Sequence, residues 1–289
     1  MQLSDVLAIL TIVGYATLFF SAVRSTRRTL SAGAALTSPD VPLTMQTPDP
    51  MLGVIGTWLV AVLHVGTLAL QTFASGQLVF GFAAAASATL WIAVLIYSIE
   101  SLFESIHSVR LILYPAAAVA CAFTLVFHGR ALVSVGGPLF ALHFVLALAS
   151  YGVLLVAAVH AVISLAADRA LHNHSARQGS PSLLVAYLPP LLSMERLLFR
   201  LILAGFVLLT LTLSSGILFH ERIFGTPLGF DHKTLFSFVS WIIFAGLLYG
   251  RYRHGWRGRV ALKYTLAGFA ALLLAYIGTQ FVLEVVLRR

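Results

Sequence analysis

The sequence predicts an all-α membrane protein, a polytopic bundle of about eight transmembrane helices. Of its 289 residues 60% are hydrophobic and only 10% are charged, whereas a soluble domain carries roughly 25% charged residues. The mean hydropathy of +0.96 excludes a water-soluble globule. The apolar residues also fall into eight stretches of about the 20 residues that a helix needs to cross a bilayer. Because no stretch is polar enough for a separate soluble unit, we expect one membrane domain over residues 1–289.

Each apolar stretch is predicted to be helical, because a backbone in lipid must pair its own N–H and C=O groups. The spans are placed near Leu3–Val23, Met51–Gln71, Leu78–Tyr97, Leu111–Phe127, Leu139–Ala167, Leu197–Phe219, Leu235–Gly250 and Val260–Leu287. The first is expected to be a retained anchor, since Met1–Asp5 has no basic residue and the apolar run is long for a signal peptide. The proline-containing linkers Ser25–Pro50 and Asp168–Ser193 are predicted to be irregular.

The positive charge of the chain is explained by membrane topology. The net charge is +8, and of the 18 Lys and Arg residues thirteen fall in loops assigned to the cytoplasm and five outside. The positive-inside rule then predicts a multi-pass protein with both termini outside, on the side of the membrane opposite the cytoplasm. This distribution accounts for the basic residues without nucleic acid as a partner. The single cysteine, Cys121, excludes disulfides and thiol-pair chemistry within the chain.

Histidines inside apolar spans are candidates for function, because ionisable groups are costly in lipid. His64 and His143 are predicted at similar depths below the outer surface. Thr57 and Gln71 lie seven residues either side of His64, and Ser150 lies seven after His143, so each span has a polar stripe. Such stripes indicate either hydrogen bonds between packed helices or imidazole ligands for haem iron. A zinc site is poorly supplied, since neither cysteine nor carboxylate is expected at that depth.

The loop before the seventh span holds further candidates. His220, Glu221 and Arg222 precede it, and Asp231-His232-Lys233 begin it. Arg222 or Lys233 beside an iron-binding histidine would balance the charge of the haem propionates. The alternative interpretation is a solvated polar loop.

Four segments carry a family resemblance. They are Gly137–His143 with Ser150-Tyr151; Met194–Arg200 with Gly205–Thr210 and Ser215-Gly216; Asp231–Thr234 with Trp241; and Gly255–Arg259 with Gly268-Phe269 and Tyr276–Gly278. Over residues 137–278 the chain resembles the cytochrome c assembly family of haem-handling membrane proteins, in particular its CcsA/HemX-like branch and YpjD-type members. The resemblance implies a haem b cofactor, an outer haem-binding face, His143 as an axial ligand and delivery of haem to apocytochrome c.

The chain departs from the haem-delivering members in the segment before the seventh span. Those members have a tryptophan-rich stretch before the Asp-x-Lys, whereas Glu221–Phe230 contains no tryptophan. The Gly255–Arg259 turn is predicted to be cytoplasmic and structural, with glycines for a tight turn and arginines at the membrane interface.

Two functional hypotheses follow. In the first, a non-enzymatic, multi-pass protein of the inner membrane, with both termini in the periplasm, binds or passes haem and assists cytochrome c assembly or haem homeostasis. Its partners would be membrane lipid, haem and other cytochrome c maturation proteins. Its iron ligands are His143 and either His64 or His232, and Lys233 or Arg222 lies near the propionates. In the alternative, a haem-free scaffold or regulator recruits a partner through its basic cytoplasmic loops. Solute transport is weaker, because no carboxylate is expected within the membrane.

Overall fold

Eight long helices cross the molecule, as the sequence predicts. The structure, a computed structural model, describes residues 2–35, 50–73, 78–103, 107–131, 137–174, 191–224 and 231–286. Within these ranges eight helices are long and apolar enough to span a membrane. They are α1 (Leu3–Ala35), α2 (Pro50–Phe73), α3 (Phe82–Glu100), α4 (His107–Val126), α5 (Pro138–His174), α6 (Leu191–Phe224), α7 (His232–His254) and α8 (Arg259–Leu273). Leu274–Gly278 and Val282–Val286 continue α8 as π-helix, separated by the α-helical turn Thr279–Phe281.

Three helices extend into segments that the sequence predicts to be loops. Helix α1 continues to Ala35, α5 continues to His174, and α6 begins at Leu191. Alanines favour helix at the end of α1, and the first proline that would stop it is Pro39. The prediction of irregular linkers is therefore wrong at their edges, and residues 36–49 and 175–190 lie outside the described residues.

A short ribbon replaces the predicted start of the third span. Val79–Phe80 (β1) pairs antiparallel with Arg130–Ala131 (β2), and α3 begins only at Phe82. An added Cβ at Gly129 would stand 2.4 Å from the backbone carbon of Phe80, so the backbones approach as closely as glycine allows. We call this side of the bundle the ribbon end. Helices α3, α5 and α7 begin there, and the opposite side is the turn end.

The helices form two groups that meet at α3 and α5. Helices α1 to α4 pack on one another, α6 and α8 pack on α5, and α7 packs on α8. Small residues allow these close approaches. An added Cβ at Gly152 would stand 2.3 Å from Ile92 of α3, and one at Gly205 would stand 2.5 Å from Leu154. Helix α5 thus joins the two groups, and the same helix carries His143.

The turn between α7 and α8 is fixed by backbone geometry. Gly255 has a left-handed conformation with φ of 66°, and its N–H donates to the carbonyl of Arg251. The Trp256 ring lies on Gly250, where an added Cβ would be only 2.3 Å from it. Gly258 also has a positive φ, of 55°. The structure therefore agrees with a tight turn built on glycines.

Ion pairs fasten this turn to α5 and α6. Arg251 donates to Glu195, and Arg257 Nε lies 3.6 Å from the same carboxylate. Arg259 donates to Asp168 near the end of α5. The second and fourth family segments thus meet at the turn end, where these charges hold four helices together.

Candidate functional site

His143 is held by α6 at the ribbon end. It lies in the second turn of α5, half-buried, with its Nδ1 2.9 Å from Ser215 Oγ. Ser215 donates its hydroxyl proton to the carbonyl of Thr212, 2.9 Å away. With the single hydroxyl proton of Ser215 used in that bond, Ser215 Oγ accepts from His143 Nδ1 in this arrangement. The neutral imidazole therefore carries its lone pair on Nε2, which is the form that binds a metal.

The backbone of α6 also shapes the position of this ring. An added Cβ at Gly216 would stand 3.3 Å from His143 Cε1, which is tighter than ordinary contact. A glycine at this position therefore provides the space in which the imidazole lies. Ser215 and Gly216 belong to the second family segment, although the sequence does not single them out as site residues.

Aromatic rings surround the start of α5. Phe140 and Phe144 stack with their centroids 5.7 Å apart, and Phe144 packs edge-on against Phe80 of the ribbon at 4.7 Å. Phe80 in turn lies 6.3 Å from the Tyr276 ring in the π-helical continuation of α8. Phe140, His143 and Phe144 are spaced i, i+3, i+4 and share one side of α5. The histidine therefore lies beside a continuous aromatic wall.

The start of α7 brings a cation to the same wall. Asp231 caps the helix, accepting hydrogen bonds of 2.8 Å from both the N–H and the hydroxyl of Thr234. This cap fixes Lys233 in the first turn, where its Nζ lies 5.5 Å from the centre of the Tyr276 ring. His232 is exposed in the same turn. Arg222 is in the last turn of α6, and its side chain lies outside the described residues.

His64 has a different environment. It is fully buried, and both ring nitrogens are engaged: Nδ1 with Tyr15 Oη at 3.0 Å and Nε2 with Ser87 Oγ at 2.8 Å. Thr57 and Thr67 of the same stripe bond Tyr114 of α4 and Thr11 of α1. The stripe thus faces neighbouring helices, as predicted, and makes packing hydrogen bonds. Iron ligation by His64 stays a prediction, and it would require one of these two bonds to break.

The three predicted ligands are held by different helices. His64 bonds α1 and α3, His143 bonds α6, and His232 is exposed at the start of α7. Across the described part of the chain, no group of three or more His, Cys, Asp or Glu side chains could hold a metal ion. The residues fit a group that needs one oriented imidazole, aromatic contacts and a cation, and haem is such a group. They do not fit a multi-ligand zinc centre.

A buried carboxylate, which the sequence analysis did not expect, lies at the other end. Glu100 closes α3 with its side chain only 10% exposed, and its Oε2 lies 3.2 Å from Nε2 of the fully buried His160. Sequence analysis misses this pair because Glu100 is the last residue of an apolar run, where a carboxylate is expected to reach water. Glu100 lies at the end of α3, so the expectation that no carboxylate lies within the membrane stays a prediction.

Comparison with known proteins assigns the family. The sequence model described as cytochrome c assembly protein matches residues 51–287. The chain belongs to the cytochrome c assembly protein family. The matched region begins in α2, well before the segments from residue 137 onwards that carry the resemblance in the sequence. The match therefore includes α2, α3 and α4 with His64 and Ser87, whereas α1 with Tyr15 lies outside it.

Individual relatives match parts of the chain. "Inner membrane protein YpjD" of Escherichia coli K12 is 35% identical over half of this chain and 52% of its own length. The "uncharacterized 28.8 kDa protein in nifR3-like 5′ region" of Azospirillum brasilense is 32% identical over 73% of this chain and 85% of its own. "Cytochrome c biogenesis protein CcsA" of Prochlorococcus marinus MIT 9515 is 38% identical over 30% of this chain and 28% of its own. The chain thus spans about half the length of the YpjD relative. No solved structure matches.

Proposed function

We propose that this member of the cytochrome c assembly protein family binds haem b at the ribbon end and assists cytochrome c biogenesis. The observation that carries the proposal is the orientation of His143. With Ser215 accepting from Nδ1, the imidazole would carry on Nε2 the lone pair that binds haem iron. The role in biogenesis is supported by the family match and by the name of the CcsA relatives.

The other residues of the ribbon end supply what a porphyrin needs besides iron ligation. Lys233 would pair with a propionate, because its ammonium is fixed on Tyr276 by the capped start of α7. Phe140 and Phe144 would contact the macrocycle, since aromatic side chains stack on flat conjugated ligands. His232 is the better second ligand of the two predicted, because His64 already bonds two hydroxyls. Arg222 stays a predicted propionate partner.

The proposed location follows from topology. The ribbon end holds both the start of α1 and the end of α8, and the positive-inside rule puts this end outside, in the periplasm. Bound haem would supply the group that becomes attached to apocytochrome c thiols. This chain would contribute positioning and charge compensation at an inner-membrane surface, in agreement with the name of its YpjD relative.

The test is spectroscopic and uses the full chain purified after expression with haem available. We expect a Soret band and a pyridine haemochrome from the wild type. His143→Ala is expected to lose both, whereas His128→Ala, which removes an exposed histidine beyond the end of α4, is expected to keep them. Ser215→Ala is expected to weaken haem affinity roughly 10- to 100-fold, the usual effect of losing a partner that orients a ligand. A wild type without haem, or a spectrum that His143→Ala leaves unchanged, would refute the proposal.

The alternative, a haem-free scaffold that recruits a partner through basic loops, has less support. Two of the arginines on which it depends, Arg257 and Arg259, form ion pairs with Glu195 and Asp168 within the molecule. Their charges therefore already contribute to holding the α7–α8 turn in place. Loss of function on Arg257→Ala with intact haem binding and unchanged stability would revive the scaffold function.

A further inference from the structure

A cleft of about 270 Å³ opens at the turn end, on the far side of the molecule from His143. It lies between the end of α3 and the first turns of α6. Its α6 wall is one face of the helix, with residues spaced i, i+3, i+4, i+7. The lining residues are Ile99, Glu100, Phe103, Ser193, Arg196, Leu197 and Arg200.

Only one oxygen of the Glu100 carboxylate has a hydrogen-bond partner among the described residues. His160 holds Glu100 Oε2 from within the bundle, which fixes the direction of the carboxylate. Glu100 Oε1 is buried and has no hydrogen-bond partner among the described residues. A buried carboxylate oxygen without a donor is costly, so this position favours a ligand that brings an N–H⁺ group.

The α6 wall of the cleft is positively charged. Arg196 and Arg200 are both exposed along the cleft, and Ser193 adds a hydroxyl. Guanidinium groups donate two parallel hydrogen bonds to phosphate oxygens, and pockets of basic residues at helix ends bind lipid head groups. The cleft therefore offers a phosphate site on α6 and an ammonium site on α3.

The rim of the cleft is apolar. Ile99 is 50% exposed and Phe103 is 81% exposed, directly beside Glu100. Both are at the end of a membrane span, where lipid chains and head groups meet. A ligand with acyl chains would cover these side chains while its polar head enters the cleft.

We infer that the cleft binds the head group of phosphatidylethanolamine, with its phosphate on Arg200 and its primary ammonium on Glu100. The volume holds roughly nine waters at about 30 Å³ each, close to the number of non-hydrogen atoms in phosphoethanolamine. Phosphatidylglycerol brings hydroxyls but no ammonium, so it could give Glu100 Oε1 only an uncharged donor. The choline ammonium of phosphatidylcholine has no N–H to donate. The cleft should therefore distinguish these three lipids.

The experiment is a lipid titration of the purified, delipidated full chain, followed by native mass spectrometry. The probes are phosphatidylethanolamine, phosphatidylcholine and phosphatidylglycerol with identical short acyl chains. We expect phosphatidylethanolamine to bind about tenfold more tightly than the other two, the effect of one charge-assisted hydrogen bond. Glu100→Gln should reduce this preference to about twofold. Arg200→Gln should weaken all three lipids about tenfold, whereas Arg253→Gln, an exposed arginine on α7 outside the cleft, should change none.

Several results would overturn the inference. One is equal binding of the three lipids to the wild type, and another is a preference that Glu100→Gln leaves intact. If Glu100→Gln fails to fold, the lipid affinities of Arg200→Gln and Ser193→Ala test the inference instead. Both variants change residues on the α6 wall and leave the Glu100–His160 pair intact. Tighter binding of soluble phosphoethanolamine than of the lipid would overturn the membrane as the source of the ligand.

Discussion

The buried imidazole of His64 allows a direct measurement of what one polar contact contributes inside this bundle. Ser87→Ala removes the hydroxyl that lies 2.8 Å from His64 Nε2 and changes little else, since Ser87 is a small side chain 1% exposed. His64 itself is 0% exposed, so water has no access to replace the lost partner. The variant therefore leaves one ring nitrogen buried and unpaired.

The expected loss of stability follows from two ranges of measured energies, one from soluble proteins and one from membrane proteins. An unpaired buried polar group costs about 1–3 kcal/mol in soluble proteins. Hydrogen bonds between membrane helices average about 0.6 kcal/mol and reach about 1.7, because the unfolded state in the membrane also finds partners. Full burial and the short distance place this contact at the upper part of the membrane range. We expect Ser87→Ala to lower the free energy of unfolding by about 1–2 kcal/mol.

The assay is reversible unfolding of the full chain in mixed micelles, followed by circular dichroism during a denaturant titration. Ser214→Ala is the matched control, because Ser214 is exposed on α6 and its loss should stay within about 0.5 kcal/mol. A Ser87→Ala cost no larger than that of the control would refute the reasoning from burial.

A second measurement on the same network separates the two roles of His64. If His64 is structural, His64→Gln lowers stability while the haem spectrum of the folded fraction is unchanged. Loss of the Soret band at unchanged stability would instead make His64 an iron ligand, as one of the sequence hypotheses has it.

Two further predictions concern packing. Gly250→Ala should cost about 1–3 kcal/mol of unfolding free energy, because its Cβ would overlap the Trp256 ring. Gly246→Ala is the control: it lies one turn away with nothing within 4 Å of an added Cβ, and it should be neutral or stabilising by up to about 1 kcal/mol. Equal effects of the two substitutions in thermal unfolding would contradict the Trp256 contact. Trp241→Phe should lower the unfolding free energy by about 1 kcal/mol in a denaturant titration, because it removes the 2.9 Å hydrogen bond from the indole to Thr210. If Trp241→Phe no longer lowers the unfolding free energy of a chain that already carries Thr210→Val, the lost hydrogen bond is the cause.

The number, order and approximate position of the helices could be predicted from the sequence, because a bilayer imposes a length and an apolar composition on every span. The inward direction of the Thr57, His64 and Gln71 stripe could also be predicted, since polar side chains avoid lipid. Helix ends were less predictable: the extension of α1 to Ala35 depends on local propensity rather than on the membrane. The Val79–Phe80 ribbon depends on pairing with a segment some fifty residues later.

Hydrophobicity and residue type are local properties, so the class of protein and the candidate histidines can be predicted from the sequence. The hydrogen-bond partners of each histidine are visible only once the helices are packed. His64 and His143 have similar predicted depths, yet His64 bonds two hydroxyls between α1 and α3, and His143 bonds Ser215 of α6 through Nδ1. The pairing of Glu100 with His160 was equally hidden. Hydrogen-bond partners from other helices are set by packing between segments far apart in the chain, which no local pattern records.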